Sequence, residues 1–485
     1  MMAKNRLWWL RRRVAIATLA FLTHGLCAQN SMVPVFALPD TVQAFTLDEF
    51  YKIILDHHPV AKQAGLLTET ARQEIRFARG SFDPKVEFLL ERKEFQDKTY
   101  YDLRDGYLYF PNRSPILPKA GFERNSGERL DPSLSIPGDV QFFAGFTLPL
   151  AQGLLTDERR TQLKQAELFQ NMLEADQVSM INKILLEAAK DYWNWYHAYY
   201  NYRLMTQGAV VARDLFERTR LNNQLGEAAP LDTVQAKITL QTRLVEQQEA
   251  YLAFQNSGII LSNYLWDENS NPLQLSPRLA PVLQDNTLPP DMQVLGELAD
   301  RAKNNHPDLI KLRNKIGQLE LERSLVREYL KPRVDFSYLL LSQPTAPQLI
   351  SPYNDYKLGL DFSMPLFLRK ERSKMALTNI KIQTTQWEQT RAEREIINEI
   401  TKTFNQLTNT LVILRQQSDM VDLYNRLLQG ELINLENGES DLFKINIQQE
   451  KVIQSQSKLV KLKADYEKSK AQLFWAAGVP NLSLR

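Results

Sequence analysis

Four stretches of the chain alternate apolar and polar residues with the two-residue period of a β-strand. Val86, Phe88 and Leu90 alternate with Lys85, Glu87 and Leu89. Val140, Phe142, Ala144, Phe146 and Leu148 alternate with Gln141, Phe143, Gly145 and Thr147. Val334, Phe336, Tyr338 and Leu340 alternate with Arg333, Asp335, Ser337 and Leu339, and Tyr356, Leu358, Leu360, Phe362 and Met364 with Lys357, Gly359, Asp361 and Ser363. Strands of about ten residues, apolar on one face and polar or glycine on the other, are the pattern of outer-membrane barrels. A soluble β-sandwich gives the same alternation. Four strands would make a poor sandwich, however, and these run straight into long helical stretches.

Proline spacing marks those helices. None of the 23 prolines lies in residues 150–229 or 366–479. Both intervals are rich in Gln, Glu, Lys, Leu and Ala and predict long helices, each interrupted by one sharp turn. Residues 154–222 and 367–435 are 69 each, about 100 Å of helix at 1.5 Å per residue. Shorter helices are predicted past Gly226 and Gly438, over residues 231–265 and 442–476, and ahead of the strands, over 47–79 (broken at Pro59) and 295–329. Two short helices end to end match one long one. Each half of the chain can then form two columns, one continuous and one stacked, in a coiled-coil wall.

The halves are written alike. Leu47, Glu49, His58 and Pro59 recur 248 residues later as Leu295, Glu297, His306 and Pro307, and residues 82–88 recur at 330–336 with the same offset. The offset falls to 216 between Leu148-Pro149-Leu150 and Met364-Pro365-Leu366, so the first copy holds 32 extra residues. Gly226-Glu227 matches Gly438-Glu439, and Trp266 matches Trp475. This order describes a tandem duplication, with one repeat over residues 44–283 and a second over 292–480. In the first repeat residues 95–138 are expected to form a long loop at the outer mouth.

Only a closed barrel leaves no backbone group unpaired in lipid, and known barrels start at about eight strands. Four strands cannot close, so the pattern requires eight strands in a dimer or twelve in a trimer. Residues 1–28 have the basic, apolar, small-residue layout of a secretory signal, and their nine-residue apolar run is too short to span a bilayer. Cys27 is either lost with that signal or, in a lipoprotein, the acylated residue; His24 and Leu26 fit the lipoprotein pattern poorly. Removing the five basic residues before Ala28 leaves 54 basic against 57 acidic groups, a net −3 with no footprint for nucleic acid.

The arrangement resembles the TolC family of outer-membrane efflux and secretion channels. The resemblance rests on the duplicated His-Pro helix start, the strand openings at Asp83-Pro84 and Lys331-Pro332, the strand-to-helix Pro149 and Pro365, and the turn from Leu225 to Ala236. The insert in the first copy, with Gly121 to Gly127 and Asp157-Glu158-Arg159-Arg160, is similar to a Bacteroidota-type branch. The resemblance implies a mainly α chain whose four strands join a twelve-stranded outer-membrane β-barrel in a homotrimer, above a periplasmic α-barrel. It implies passive conduction, no cofactor, and partners in a periplasmic adaptor and an inner-membrane RND or ABC transporter. The glycine turns become periplasmic gate and docking tips: Gly226, Glu227 and Asp232 on the first copy, Gly438, Glu439, Asp441 and Lys444 on the second. The family places acids near the second turn. Here the residue six after Gly438 is Lys444, so Asp232 and Lys444 occupy matching places and can pair across closed tips; Asp232 also suits a helix cap.

No enzyme motif competes with this reading. There is no P-loop, dinucleotide glycine pattern or nucleophile elbow. His58 and His306 stand at equivalent helix starts, which suits capping, and neither the histidines nor the ten methionines form a zinc or copper pattern. Tyr192, Trp195, Tyr196 and Tyr199 have the spacing of a helix-packing stripe, with aromatic-drug binding as the other reading. Glu158-Arg159-Arg160 and Glu371-Arg372 suit ion-pair scaffolding. A periplasmic adaptor is the rival function, but it requires Gly-rich lipoyl-type strands around a single hairpin.

Overall fold

The computed structural model describes residues 43–136, 138–282, 292–343 and 355–479. The expected signal over residues 1–28, with Cys27, lies outside the described residues, as does the last residue of each expected repeat, 283 and 480. Strand β1 (Gln43–Phe45) leads into α1 (Leu47–His57) and α2 (Pro59–Gly80). Thr46 and Glu49 start α1 with a reciprocal capping box, at 3.2 Å and 2.9 Å. Then come β2 (Lys85–Phe95), β3 (Lys98–Tyr109), β4 (Leu117–Ser126) and β5 (Gln141–Pro149). The 67-residue α3 (Glu158–Gln224) follows, then α4 (Pro230–Ser262) and β6 (Leu279–Pro281), which pairs in parallel with β1. The second half adds α5 (Met292–Asn305), α6 (Pro307–Glu328), β7 (Arg333–Ser342), β8 (Tyr356–Ser363), the 68-residue α7 (Arg369–Glu436) and α8 (Leu442–Ala476).

The helices form four columns side by side. Helix α3 packs against α2 and α4 on one side and α6 and α8 on the other, and α7 packs against α6 and α8. Two columns are therefore continuous (α3, α7) and two are stacked from shorter helices (α2 with α4, α6 with α8). The joints between stacked helices hold the cores. One gathers Phe50, Tyr51 and Ile54 of α1 around Leu185, Tyr192 and Trp195 of α3 and Leu261 of α4. The other gathers Leu298 and Ala302 of α5 around Ile400, Phe404 and Leu407 of α7 and Leu473 of α8. Burying large aromatics beside alanines such as Ala188 and Ala189 lets the columns approach closely where the short helices meet.

The sheet departs from the sequence pattern. It has six strands in the order β2-β3-β4-β5-β7-β8, every neighbouring pair antiparallel. The four expected strands are there as β2, β5, β7 and β8. The residues expected to form one long outer loop instead supply β3 and β4, a hairpin inserted between β2 and β5. Its turn, residues 110–116, lies at the helix end of the sheet, since Tyr109 pairs with Lys85 and Leu117 with Thr147. The twelve-strand count, which assumed four strands per chain, therefore changes. The physical cause is in β3, where Asp102, Arg104 and Gly106 stand on the face that is apolar in the other strands, so its alternation reads as polar and irregular.

Candidate channel lining and helical tips

Antiparallel register sorts the sheet into two chemically distinct faces. On one, Val86, Leu108, Ala120, Ala144, Leu340 and Tyr356 form a row, and Phe88, Gly106, Phe122, Phe142 and Ser342 the next. Leu358, Leu360 and Phe362 of β8 continue this face, the last two 62% and 68% exposed. The opposite face carries Lys85, Lys119 and Lys357 with Glu87, Asp105, Glu123, Asp335 and Asp361. There the Lys119 ammonium sits 3.7 Å from the Tyr107 ring centre, the Tyr107 hydroxyl donates to Glu87, and Lys357 lies 3.8 Å from Glu123. Such a sheet suits lipid on one side and a wet passage on the other. Packing is tight at Gly145, where an added Cβ would lie 1.9 Å from the Tyr338 carbonyl oxygen. No helix among the described residues is long and apolar enough to cross a membrane.

At the far ends of α3 and α7 two turns are built alike. Gly226 and Gly438 have φ of +80° and +76°, a region L-residues avoid. Gly226 N–H donates to Asn223 O at 3.1 Å and Glu227 N–H to Asn222 O at 2.8 Å; Gly438 donates to Leu435 O and Glu439 to Asn434 O at the same two distances. These are paired Schellman closures. Beyond them, Asp232 accepts from the Ala229 N–H at 3.2 Å, and Asp441 is the N-cap of α8, accepting from the Lys444 N–H at 2.9 Å. Asp232 and Lys444 are both third residues of their helices. An acid there complements the helix dipole and a lysine opposes it. Among the described ion pairs none joins Asp232 to Lys444 within one chain. Asp232 is not the N-cap of a helix starting near Thr233: α4 starts at Pro230 with Ala229 as its N-cap, and Asp232 serves the helix start by accepting back from Ala229 N–H.

The remaining candidates are structural. His58 Nδ1 accepts from Val60 N–H at 3.1 Å and His306 Nδ1 from Asp308 N–H at 3.2 Å, each followed by proline at the first helical position. Burial pushes both imidazoles below the ordinary histidine value, which keeps the accepting nitrogen free of a proton. Tyr192 and Trp195 are fully buried, Tyr196 and Tyr199 nearly so, and the Tyr192 hydroxyl donates to Phe45 O at 2.7 Å, so this stripe packs helices. Asp157 accepts from Arg160 N–H at 2.8 Å while the Arg160 guanidinium donates to Gly153 O at 2.7 Å, which fastens the start of α3 below the sheet.

Residues 298–479 match the family model described as outer membrane efflux protein. No curated protein matches the chain by sequence. Among solved structures, the chain is similar to the Campylobacter jejuni CmeC outer membrane channel at TM-score 0.62 and 14% identity, covering 89% of this chain and 85% of that one. The outer membrane protein VceC of Vibrio cholerae gives 0.62 and 14%, covering 89% and 96%. The open-state MtrE outer membrane channel of Neisseria gonorrhoeae gives 0.60 and 11%, covering 90% and 89%. Of these solved structures, CmeC and MtrE are outer membrane channels. The chain thus carries an outer membrane efflux protein domain in its second half and, over most of its length, has the fold of the TolC-family channels.

Proposed function

We propose that three copies of this chain form an outer-membrane channel that passively conducts solutes from a periplasmic adaptor and inner-membrane pump to the exterior. One observation carries the assembly: a single copy is open at both edges of both layers. Strands β2 and β8 end the sheet with unpaired edges, which lipid does not tolerate. The outermost columns carry uncovered apolar stripes. On α4, Leu231, Ile238, Val245, Leu252 and Ile259 recur every seven residues and are all exposed; on α7, Leu377, Ile380, Trp387, Met420 and Leu427 share one exposed face. A seven-residue repeat is the seam of paired helices. The stripes lie on opposite ends of the wall, so α7 of one copy meets the α2–α4 column of the next.

The two layers agree in width. Six strands about 4.8 Å apart and tilted by about 40° span about 38 Å of circumference. Four columns about 9 Å apart span about 36 Å. Three copies give eighteen strands above twelve columns of nearly equal circumference. The halves at 44–283 and 292–480 are structural repeats, the helical part stands in the periplasm, and residues 1–28 are the export signal. Gly226, Glu227, Asp232, Gly438, Glu439, Asp441 and Lys444 form the periplasmic tips, where the pore narrows and the adaptor docks. Light scattering of the detergent-solubilised protein should give a three-chain mass, with stepwise conductance in planar bilayers. A monomer, or recovery from the soluble periplasm, would end this reading.

A further inference from the structure

The outward face of β2, β3 and β4 changes chemistry toward the end far from the helices. Two rows there are apolar or glycine: Val86, Leu108 and Ala120, then Phe88, Gly106 and Phe122. The next row holds Leu90, Arg104 and Arg124, and the one beyond it Arg92, Asp102 and Ser126. Arg104 is clamped by Asp102, its guanidinium donating twice at 2.9 Å and 2.8 Å. Arg92 donates to Glu94 at 3.0 Å. Arg124 is exposed and makes no ion pair among the described residues, although Asp102 lies within the field of all three arginines. Just above, the Tyr100 ring is flanked by the Lys93 ammonium at 5.1 Å and the Arg129 guanidinium at 5.6 Å. On the outward face three guanidiniums, Arg92, Arg104 and Arg124, thus meet two carboxylates, Asp102 and Glu94, while Lys93 pairs with Tyr101 in phase with Lys85 and Glu87 on the opposite face.

We propose that this patch binds the phosphate groups of lipid headgroups in the outer leaflet; the inference rests on the membrane orientation given above. Successive rows on one face are about 7 Å apart at 3.4 Å per residue. The arginines therefore stand at the first level beyond the apolar rows, the level of the headgroups. A guanidinium facing hydrocarbon is costly, whereas at headgroup depth it meets phosphate with strong, bidentate hydrogen bonds. Asp102 and Glu94 orient Arg104 and Arg92 without neutralising the cluster. The patch lies largely on the inserted hairpin, so the hairpin supplies a lipid contact as well as strands.

Native mass spectrometry of the full-length assembly with a bisphosphorylated lipid A, against its dephosphorylated form, tests this. The phosphorylated lipid should be retained and the dephosphorylated one lost, with inorganic phosphate failing to displace it. The triple variant Arg92→Gln, Arg104→Gln, Arg124→Gln should weaken retention roughly a hundredfold, about fivefold for each guanidinium, and leave bilayer conductance unchanged. The matching Arg→Lys variants should restore most of it. Equal retention of both lipids, an unaffected triple variant, or ready displacement by free phosphate would overturn the proposal while normal conductance left the channel reading intact. A wild-type protein without conductance would instead remove that reading and this one with it. If the triple variant does not assemble, Arg124→Gln and the two-lipid comparison on the wild type decide.

Discussion

Gly226 and Gly438 can be replaced without any clash, because a Cβ at either position meets nothing within 4 Å. What a side chain meets instead is the backbone, held at positive φ. Gly226→Ala and Gly438→Ala should each cost about 1 kcal/mol, seen as earlier thermal unfolding with an unchanged oligomer mass. Histidine gives a second residue-scale expectation. Burial lowers His58, His306 and His197 below the usual 6.5. Such groups contribute their full stability above the unfolded value, and lose it as pH falls through the lower folded values. The melting temperature should therefore drop between about pH 7 and pH 5. His58→Asn with His306→Asn keeps an acceptor at each N-cap but removes two titrating groups, so the pH slope should flatten and leave only the share of His197. These roles were legible in the sequence because each depends on neighbours within a few residues: a glycine after a helix, a histidine before a proline.

At the scale of elements, legibility followed periodicity. The helix over residues 442–476 was readable to the residue, and α3 and α7 nearly so, because proline is absent and no other signal intervenes. The strands β2, β5, β7 and β8 kept a clean alternation. The hairpin did not, since β3 places Asp102, Arg104 and Gly106 on the face that is mainly apolar across the rest of the sheet, and Pro118 and Gly121 interrupt β4. Only the 32 extra residues announced that something stood there. This correction changes what an accessibility experiment should find. Epitope tags at Gln96–Asp97, the two-residue turn with both φ positive, should be labelled on intact cells. Tags at Asn112–Ser114, in the β3–β4 turn at the helix end, should be labelled only after the outer membrane is permeabilised. Labelling of both on intact cells would place the hairpin outside the barrel wall.

For the whole molecule, the proposed narrowing lies at the two glycine turns, and there the structure complicates the charge pattern. Asp232 already serves its own helix through the Ala229 N–H, and Lys444 opposes the dipole of α8. Reversal therefore has two separable readouts. Asp232→Lys should lower stability by about 0.5–2 kcal/mol through the lost cap, and Lys444→Asp should raise it slightly. If the two residues also pair across neighbouring tips, Asp232→Lys should raise basal conductance and antibiotic sensitivity, and adding Lys444→Asp should bring conductance back down without restoring the cap. Conductance indifferent to both changes would assign the two residues to helix starts alone. The equivalence of the two glycine turns was legible in the sequence; the contacts they make in an assembly were not, because those depend on how copies converge.

The inserted hairpin has one more consequence. It goes up and comes back within the sheet, so β2 and β5 on either side of it already run in opposite directions. Phe88 and Phe142 lie in one row across it, and so do Val86 and Ala144. Cutting out both strands and closing the gap would leave β2 and β5 as neighbours with matching faces and matching register. Nothing in the helical wall would need to change its contacts along α3 or α7. In the proposed channel, the circumference at the membrane could then be reset in steps of two strands per copy while the helical wall kept its own.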